Sequence, residues 1–516
     1  MDLESLQFIV YVAGVCIIYF LCRNEGWQRR VLIAAGIVCY YMMSGLSALL
    51  LLLATGILTY FLGIRIGGCI SEAKRNRENE KLALALRKKA RFCMWIGCIA
   101  ELGMLMYFKF FTNTWTLLQE LLLAHYQFKL FDLLIPLGIS YFTLALSGYI
   151  LDVYHAKIEA EKDFEKFSLM FLYFPCMIQG PINAYKKLKP EIEKLHTADY
   201  ERIRSGVLRM VWGYIMKIVF ADRIGIMVSA ILDSEAVGFP VLCALVLYSF
   251  QIYGNFAGGI NVIMGISEIL DIRLVENFHN PFMAKSVTEY WKRWHISLGE
   301  WMENHVFYPI VFSKTVNRIS KAISNKYLRR VFSATAASFI VFIFVGIWHG
   351  TGWNYVVYGI YQATFVSLAI LLEPLYEKGR KLFHIQTDKA LWHLFQMVRT
   401  FFILVIGRYF SHAPNLMTAI QWLKRTFCAW NPETLVNGTF LEYGLDIRNI
   451  ILMFLSLFVI LFVDYANERG ICFRQKIVQQ KIAVRWTVYY AALFLIIIFG
   501  VYGPEFTVSS FIYQGF

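Results

Sequence analysis

Long apolar runs recur along most of this chain of 516 residues. They cover residues 8–22, 31–43, 46–66, 92–111, 133–151, 239–253, 331–347, 355–372, 400–410, 450–463 and 488–501. A helix needs about 20 apolar residues to cross a bilayer core, so the runs predict roughly 11 to 13 helices, some of them re-entrant or interfacial. The hydrophobic fraction of 58% also exceeds that of a soluble chain. We therefore predict an all-α polytopic membrane protein.

No linker, low-complexity stretch or repeat divides the sequence, so we predict a single integral membrane domain over residues 1–516. No basic segment precedes the first apolar run, and we expect that first helix to stay rather than to be cleaved as a signal peptide. The ten cysteines and ten histidines form no cluster at zinc spacing, and we predict neither a metal site nor a bound cofactor.

The net charge of +14 is concentrated in loops between apolar runs. Residues 74–91 carry eight basic side chains, and residues 314–330 carry six with no acidic one. Basic loops mark the cytoplasmic face of a membrane protein, where anionic lipid head groups suffice as partners. We therefore predict a multi-pass protein of the cell membrane with its N-terminus outside, and no nucleic-acid partner.

One histidine lies where an apolar run ends, in Trp348-His349-Gly350. A titratable side chain at membrane depth is costly, so it usually faces the protein interior or a watery cavity and has a function there. Imidazole titrates near pH 6.5, so His349 can accept a proton and later return it. The alternative is a core histidine that hydrogen-bonds to a backbone carbonyl.

A second Trp-His pair, Trp294-His295, lies in the stretch 279–330, which is too polar to face lipid as a spanning helix. Such a stretch either anchors the protein at the membrane interface or dips back into the protein, where its backbone is shielded. Upstream, the glycines and asparagines of residues 254–265 indicate close helix packing or an interrupted helix.

Several motifs follow one another in a fixed order: IPLGISYFT (135–143), Gly180-Pro181-Ile182, Lys217 with Ala221-Asp222-Arg223, ENFHNPF (276–282), WKRWHISLGEW (291–301) and IWHGTGW (347–353). Together they resemble the membrane-bound O-acyltransferase superfamily, in its bacterial branch of alginate O-acetylases and teichoic-acid D-alanyl transferases. The resemblance covers residues 135–516.

The resemblance implies that His349 is the catalytic residue. His295 corresponds to an earlier motif histidine, which either takes part in catalysis, orients substrate or supports His349. We expect Trp294, Trp348 and Asn304 to bind substrate. Asn304 stands where the family often has an acidic residue, and Asn255 likewise begins Asn-Phe-Ala-Gly-Gly where the family usually has Asp.

The sequence closes on Phe511-Ile512-Tyr513-Gln514-Gly515-Phe516, which resembles a Phe-x-Tyr-x-x-Phe ending of this bacterial branch. Tyr513 is predicted as a third catalytic residue that accepts the acyl group and carries it onward. Its phenol has a pKa near 10, so it needs a base such as His349 to become a nucleophile. The alternative is an aromatic anchor at the membrane interface.

These features predict an O-acyltransferase that moves an acyl group, acetyl in preference, from a cytoplasmic thioester such as acetyl-CoA or an acyl carrier protein. The resemblance implies that the acceptor side is an extracytoplasmic cell-envelope or secreted polysaccharide or a partner acyltransferase, and we expect the site near mid-membrane in a central funnel or tunnel. The alternatives are D-alanyl transfer to teichoic acid and, in a different class, a proton-coupled transporter. Transporters often show inverted repeats and paired broken helices, which this sequence lacks.

Overall fold

The computed structural model describes residues 3–111, 136–177 and 179–502, and helices make up most of this part of the chain. The α-helices are Leu6–Leu21, Glu25–Arg75, Glu80–Met106, Ile139–Tyr154, Phe164–Leu172, Tyr185–Ile192, Tyr200–Tyr214, Asp222–Asp233, Phe239–Ile269, Val287–Arg293, Ile296–Met302, Tyr308–Val311, Lys314–Ala322, Lys326–His349, Trp353–Leu371, Glu373–Leu382, Ala390–His412, Leu416–Cys428, Ile447–Glu468, Phe473–Val478 and Ile482–Phe499. Short π or 3₁₀ segments are Tyr107–Phe111, Phe174–Cys176, Ile215–Ala221, Pro281–Met283, Glu303–Phe307, Pro432–Leu435 and Thr439–Glu442.

Eight of the described helices are long and apolar enough to cross a membrane. A ninth apolar helix, Leu6–Leu21, is shorter. The predicted apolar runs lie largely within helices in the described part of the chain; residues 22, 136–138, 372 and 500–501 lie outside the helices, and residues 133–135 lie outside the described part. The prediction of an all-α, multi-pass membrane protein is therefore confirmed.

The longest helical element, Glu25–Arg75, contains two of the predicted runs and bends between them at Gly45. Gly45 has φ 79° and ψ 177°, a combination that side chains with a Cβ rarely adopt. A straight helix of 51 residues would be about 77 Å long, far more than the hydrocarbon core of roughly 30 Å. The glycine thus separates two helical segments of membrane length.

The chain forms two compact units, each described here by itself. Of the described residues, the first unit contains those up to 210 and residues 262–275, and the second contains residues 211–261 and 276–502. The single domain expected for residues 1–516 stays a prediction.

A buried carboxylate organises the loop before helix Phe164–Leu172 in the first unit. Glu161 accepts hydrogen bonds from the Tyr185 hydroxyl at 2.8 Å, from Lys189 Nζ at 2.6 Å and from the backbone N–H of Asp163 at 2.9 Å. Burial alone would raise the pKa of Glu161, but these hydrogen bonds outweigh it and lower the pKa to about 2. The contacts clamp the loop and leave no acid-base role for Glu161 near neutral pH.

The second unit is built around a tight hairpin of Lys326–His349 and Trp353–Leu371. A Cβ on Gly346 would lie 2.5 Å from the carbonyl oxygen of Tyr355, and one on Gly359 would lie 2.6 Å from that of Phe342. Such distances require glycine at both positions, because small residues let helix backbones approach closely. Close packing of the two helices thereby fixes the position and orientation of the residues in the turn that joins them.

Helix Phe239–Ile269 continues without interruption through the glycine-rich segment 254–265, for which the sequence predicted either close packing or an interrupted helix. A Cβ on Gly254 would lie 2.6 Å from the Phe220 ring, and one on Gly258 would lie 2.8 Å from the carbonyl oxygen of Gly213. Close packing is therefore the correct interpretation of this segment, and the alternative of an interrupted helix is wrong.

Candidate active site

His349 is the last residue of helix Lys326–His349, at the turn of the hairpin. Asn325 caps the other end of this helix by accepting from the backbone N–H groups of Tyr327 and Leu328 at 2.9 and 3.1 Å. After His349 the backbone becomes extended at Gly350, where a Cβ would lie 2.2 Å from the ring of Tyr355. The glycine of the Trp-His-Gly motif thus admits an aromatic ring directly beside His349.

His295 reaches the interior through a short antiparallel pairing between two of the sequence motifs. Phe278 and Trp294 form an isolated β-bridge, and the N–H of Ile296 donates to the carbonyl oxygen of Asn277 at 3.0 Å. His295 lies between these contacts with φ 50° and ψ 53°, a left-handed conformation that is uncommon for residues other than glycine. Its side chain is 1% exposed. This burial agrees with both interpretations of the stretch 279–330, an interfacial anchor with a packed histidine and a segment that dips into the protein.

Asn277 fixes the protonation pattern of His295. Asn277 Oδ1 accepts from the N–H of Ser297 at 3.1 Å and from the Ser297 hydroxyl at 2.9 Å. Because a backbone N–H can only donate, the Asn277 atom facing it is the oxygen. His295 Nδ1 lies 3.3 Å from the same oxygen and therefore carries the proton in the neutral ring. Nε2 then holds the lone pair that a base requires.

Both motif histidines contact one indole, that of Trp348. The ring centroids of His295 and Trp348 are 6.1 Å apart, and those of Trp348 and His349 are 5.0 Å apart. Trp348 is 4% exposed, so this indole lies inside the protein. On its other sides the group contacts Phe256, 4.9 Å from His295, and Tyr358, 6.3 Å from His349. Residues that are distant in sequence therefore form one aromatic cluster.

His295, which lies outside the eight candidate spans, stays neutral at ordinary pH. Burial lowers its pKa from 6.5 to about 3, and the positive charge that His349 acquires on protonation acts in the same direction. A neutral imidazole can accept a proton or a hydrogen bond, whereas an imidazolium cannot. His295 is therefore suited to accept a proton or a hydrogen bond rather than to act as a cation.

The remaining predicted site residues are placed differently from one another. Trp294 is 5% exposed; its ring stacks on Tyr290 at 5.5 Å and packs edge-on against Phe278 at 4.9 Å. Asn304 is exposed and its Nδ2 donates to the carbonyl oxygen of Glu300, one turn earlier. Tyr513 lies outside the described residues. The structure thus brings His295, His349, Trp294 and Trp348 together and leaves Asn304 on the surface.

No role was predicted from the sequence for three residues in or beside the cluster: Asn277, Tyr358 and Arg408. Arg408 donates to the Tyr290 hydroxyl at 2.8 Å, and its guanidinium lies 5.4 Å from the centre of the Trp294 ring. A signal for Arg408 was present, since a charged residue inside the apolar run 400–410 marks a functional position. Asn277 and Tyr358 have no comparable sequence signal, because their roles depend on contacts between distant segments.

Residues 166–412 match the family described as MBOAT, membrane-bound O-acyltransferase family. All residues of the aromatic cluster lie within that match. The chain is also similar to named bacterial proteins over most of its length. It is 25% identical over 464 residues to a probable alginate O-acetylase of Pseudomonas aeruginosa, covering 89% of this chain and 81% of the relative.

Two further relatives are named for other activities. A peptidoglycan O-acetyltransferase of Helicobacter pylori is 24% identical over 80% of this chain and 76% of its own length. A teichoic acid D-alanyltransferase of Bacillus subtilis is 26% identical over 54% of this chain and 69% of its own length. The family match over residues 166–412 and these relatives together support an O-acyltransferase of the bacterial membrane-bound O-acyltransferase branch.

Proposed function

We propose that this chain moves an acetyl group from a cytoplasmic thioester across the membrane to an extracytoplasmic cell-envelope or secreted polysaccharide, with His349 as the base. The observation that supports this proposal is the contact of His349 and His295 with one buried indole, which gives a membrane O-acyltransferase a paired imidazole site. The donor is acetyl-CoA or an acyl carrier protein, bound from the cytoplasmic side. The acceptor side is the polysaccharide itself or a partner acyltransferase that carries the group onward.

The chemistry requires one proton to move twice. As the acceptor hydroxyl attacks the thioester carbonyl, the new C–O bond forms and His349 takes the hydroxyl proton. The tetrahedral intermediate then reforms the carbonyl, the C–S bond breaks, and His349 returns the proton to the leaving thiolate. His295 is well suited to lie beside His349, because with a pKa of about 3 it adds no positive charge that would oppose protonation of His349.

Acetyl is favoured over D-alanyl by the extent of the similarities. The two O-acetyl-transferring relatives align with 89% and 80% of this chain, whereas the D-alanyltransferase aligns with 54%. D-alanyl transfer to teichoic acid from a carrier protein remains the competing reaction within the class.

Tyr513 is proposed as an acyl relay between His349 and the external acceptor. Replacement by Phe keeps the ring and removes only the nucleophilic oxygen, so packing and chemistry separate. Tyr513→Phe should abolish polymer acylation while leaving protein level and donor binding unchanged. Mass spectrometry of the C-terminal peptide should find an acyl ester on Tyr513 when acceptor is withheld. Full activity of Tyr513→Phe would instead favour direct transfer to an acceptor hydroxyl at His349.

The central test compares purified wild-type protein with His349→Ala and with His393→Ala, a histidine outside the cluster. Transfer or hydrolysis is measured with labelled acetyl-CoA, acetylated carrier protein and D-alanyl carrier protein. We expect activity with an acetyl donor, near-total loss in His349→Ala at normal membrane abundance, and no change in His393→Ala. Wild-type activity in His349→Ala would exclude it as the base, and activity with the D-alanyl donor alone would identify the competing reaction. A proton-coupled transporter would process none of the donors.

A further inference from the structure

Arg408 is a buried cation within a candidate membrane span, helix Ala390–His412. Arg408 is 4% exposed. A guanidinium stays protonated under all ordinary conditions, so its burial at membrane depth costs free energy unless a compensating interaction is present. The groups that surround the Arg408 guanidinium therefore indicate the function of its charge.

The described residues give Arg408 aromatic and phenolic partners but no carboxylate. Its NH2 group donates to Tyr290, its charge lies over the Trp294 ring, and its Nε has no hydrogen-bond partner among the described residues. Two other buried or half-buried cations of the same unit, Lys217 and Arg293, are paired with carboxylates. Lys217 lies 2.6 Å from Asp222, and Arg293 binds both Glu289 and Glu468 at 2.7 and 2.8 Å. Arg408 thus keeps its positive charge uncompensated by any described acid.

Aromatic residues connect the surroundings of this charge with those of both motif histidines. Trp294, which holds the guanidinium at 5.4 Å, directly precedes His295 in the chain. On the other side, helix Ala390–His412 packs on Tyr358, since a Cβ on Gly407 would lie 3.3 Å from that ring. Tyr358 in turn contacts His349. An anion that forms beside His349 would therefore lie in the field of Arg408.

We propose that Arg408 is the cation that stabilises the oxyanion formed on the thioester carbonyl during acyl transfer. The inference rests on the proposed function and adds to it a residue that acts in the transition state. When the hydroxyl attacks, the carbonyl π electrons move onto the oxygen, which becomes negative as His349 takes the hydroxyl proton. When the carbonyl reforms, the C–S bond breaks, the charge passes to sulfur, and the proton from His349 neutralises it. A fixed positive charge in a water-poor site favours this intermediate over the neutral thioester.

The test compares two donor analogues in wild-type protein and in Arg408→Gln. An S-ethyl thioether of the donor thiol lacks the carbonyl, whereas a trifluoroacetonyl thioether forms a hydrate that resembles the oxyanion. Both are made on coenzyme A or on the carrier protein's phosphopantetheine, whichever supports wild-type transfer. We expect Arg408→Gln to lower kcat by about 10²–10³-fold and to weaken binding of the trifluoroacetonyl analogue by a similar factor. KM and binding of the S-ethyl analogue should change by less than about threefold.

A matched control is Arg425→Gln. Arg425 is another partly buried arginine of this unit, but its guanidinium donates to the backbone carbonyls of Ala236 and Ser234, which is a structural task. We expect Arg425→Gln to leave the ratio of the two analogue affinities unchanged. Arg408→Lys retains the charge without the planar fork, and it should preserve part of the preference for the trifluoroacetonyl analogue.

The inference is overturned if Arg408→Gln retains wild-type kcat or if it weakens binding of both analogues equally. If Arg408→Gln does not fold, Arg408→Lys decides, and an equal loss of both analogues in that variant overturns the inference as well. If the wild-type protein transfers acyl groups but Arg408 variants show no selective loss, the inference alone fails. If wild-type protein transfers from no thioester, the proposed function fails and the inference fails with it.

Discussion

The imidazole ring of His295 lies 6.1 Å from the indole of Trp348, the residue that directly precedes His349. Two motifs that are separate in the sequence therefore share one buried ring. The shared ring makes the position of each histidine sensitive to the other motif, because a shift of the indole moves the surroundings of both. Substitutions in the supports of this cluster should consequently affect activity as well as stability.

Replacement of Asn277 should lower both the stability and the activity of the protein. Asn277→Ala removes the acceptor of hydrogen bonds from Ser297 and His295, and each buried group left unsatisfied costs about 1–3 kcal/mol. We expect a lower thermal unfolding midpoint in detergent. We also expect a loss of specific activity per folded molecule, because His295 loses the partner that fixes its tautomer. The two effects are measured by differential scanning fluorimetry and by acyl transfer on the folded fraction.

Asn277→Asp separates geometry from charge. The carboxylate keeps the acceptor but places a negative charge beside His295, which should raise the pKa of His295. Asn317→Ala, an exposed substitution in helix Lys314–Ala322, serves as the control and should change stability by less than about 0.5 kcal/mol. Wild-type stability and activity in Asn277→Ala would show that the amide does not hold the histidine.

Gly350→Ala should impair the site through sterics alone. The added methyl group would lie 2.2 Å from the Tyr355 ring, so the ring or the hairpin turn must shift, and His349 is the adjacent residue. We expect a drop in acyl transfer of at least about tenfold, as small misplacements at a reacting centre are costly. Gly379→Ala is the matched control, since a Cβ there meets nothing within 4 Å and alanine favours a helix. Equal activity of both variants would contradict the role of the close contact.

The long apolar helices were predictable because each depends on a local property, an apolar run of sufficient length. The joining of two apolar runs into the single helical element Glu25–Arg75 was not predictable, because tertiary packing decides whether Gly45 ends a helix or bends it. The burial of His295 could not be decided from composition either. It results from pairing of Asn277 and Phe278 with residues 294–296, and the polar stretch 279–330 gives no periodic signal for such pairing.

The candidate site was predictable in part. His349 and Trp348 follow from an imidazole at the end of an apolar run, and the structure places both in one cluster with His295. Arg408 shows that a charged residue within an apolar run deserved the same consideration as His349. The exposed position of Asn304 shows the opposite limit, because position in a motif does not reveal which way a helical side chain points.

The buried ion pair of Lys217 and Asp222 should be costly to break on one side only. The two side chains are each 1% exposed and lie 2.6 Å apart. Lys217→Met leaves the carboxylate buried without its cation and should cost about 3–5 kcal/mol of unfolding free energy. The double variant Lys217→Met/Asp222→Leu removes both charges and should recover much of that loss. Chemical unfolding of the two single variants and the double variant gives the coupling energy, and strict additivity would contradict a direct interaction.

The pH dependence of stability should carry the signature of a histidine buried in its neutral form. In the unfolded chain His295 binds a proton as the pH falls through about 6.5, whereas in the folded protein it stays neutral down to about pH 3. Between these values the unfolded state binds more protons, so the free energy of unfolding decreases as the pH is lowered. The slope approaches about 1.4 kcal/mol per pH unit, and the loss between pH 6.5 and 5 is about 2 kcal/mol.

Thermal unfolding from pH 8 to pH 5 measures this contribution, with His295→Asn as the test variant. Asparagine tolerates the left-handed backbone at this position and does not titrate, so its profile below pH 6.5 should be flatter than that of the wild type. His393→Asn, the same substitution at a half-buried histidine outside the cluster, serves as the matched control. Parallel profiles for wild type and His295→Asn would mean that His295 becomes protonated without cost in the folded protein. His295 would then not be the neutral partner that the proposed base site requires.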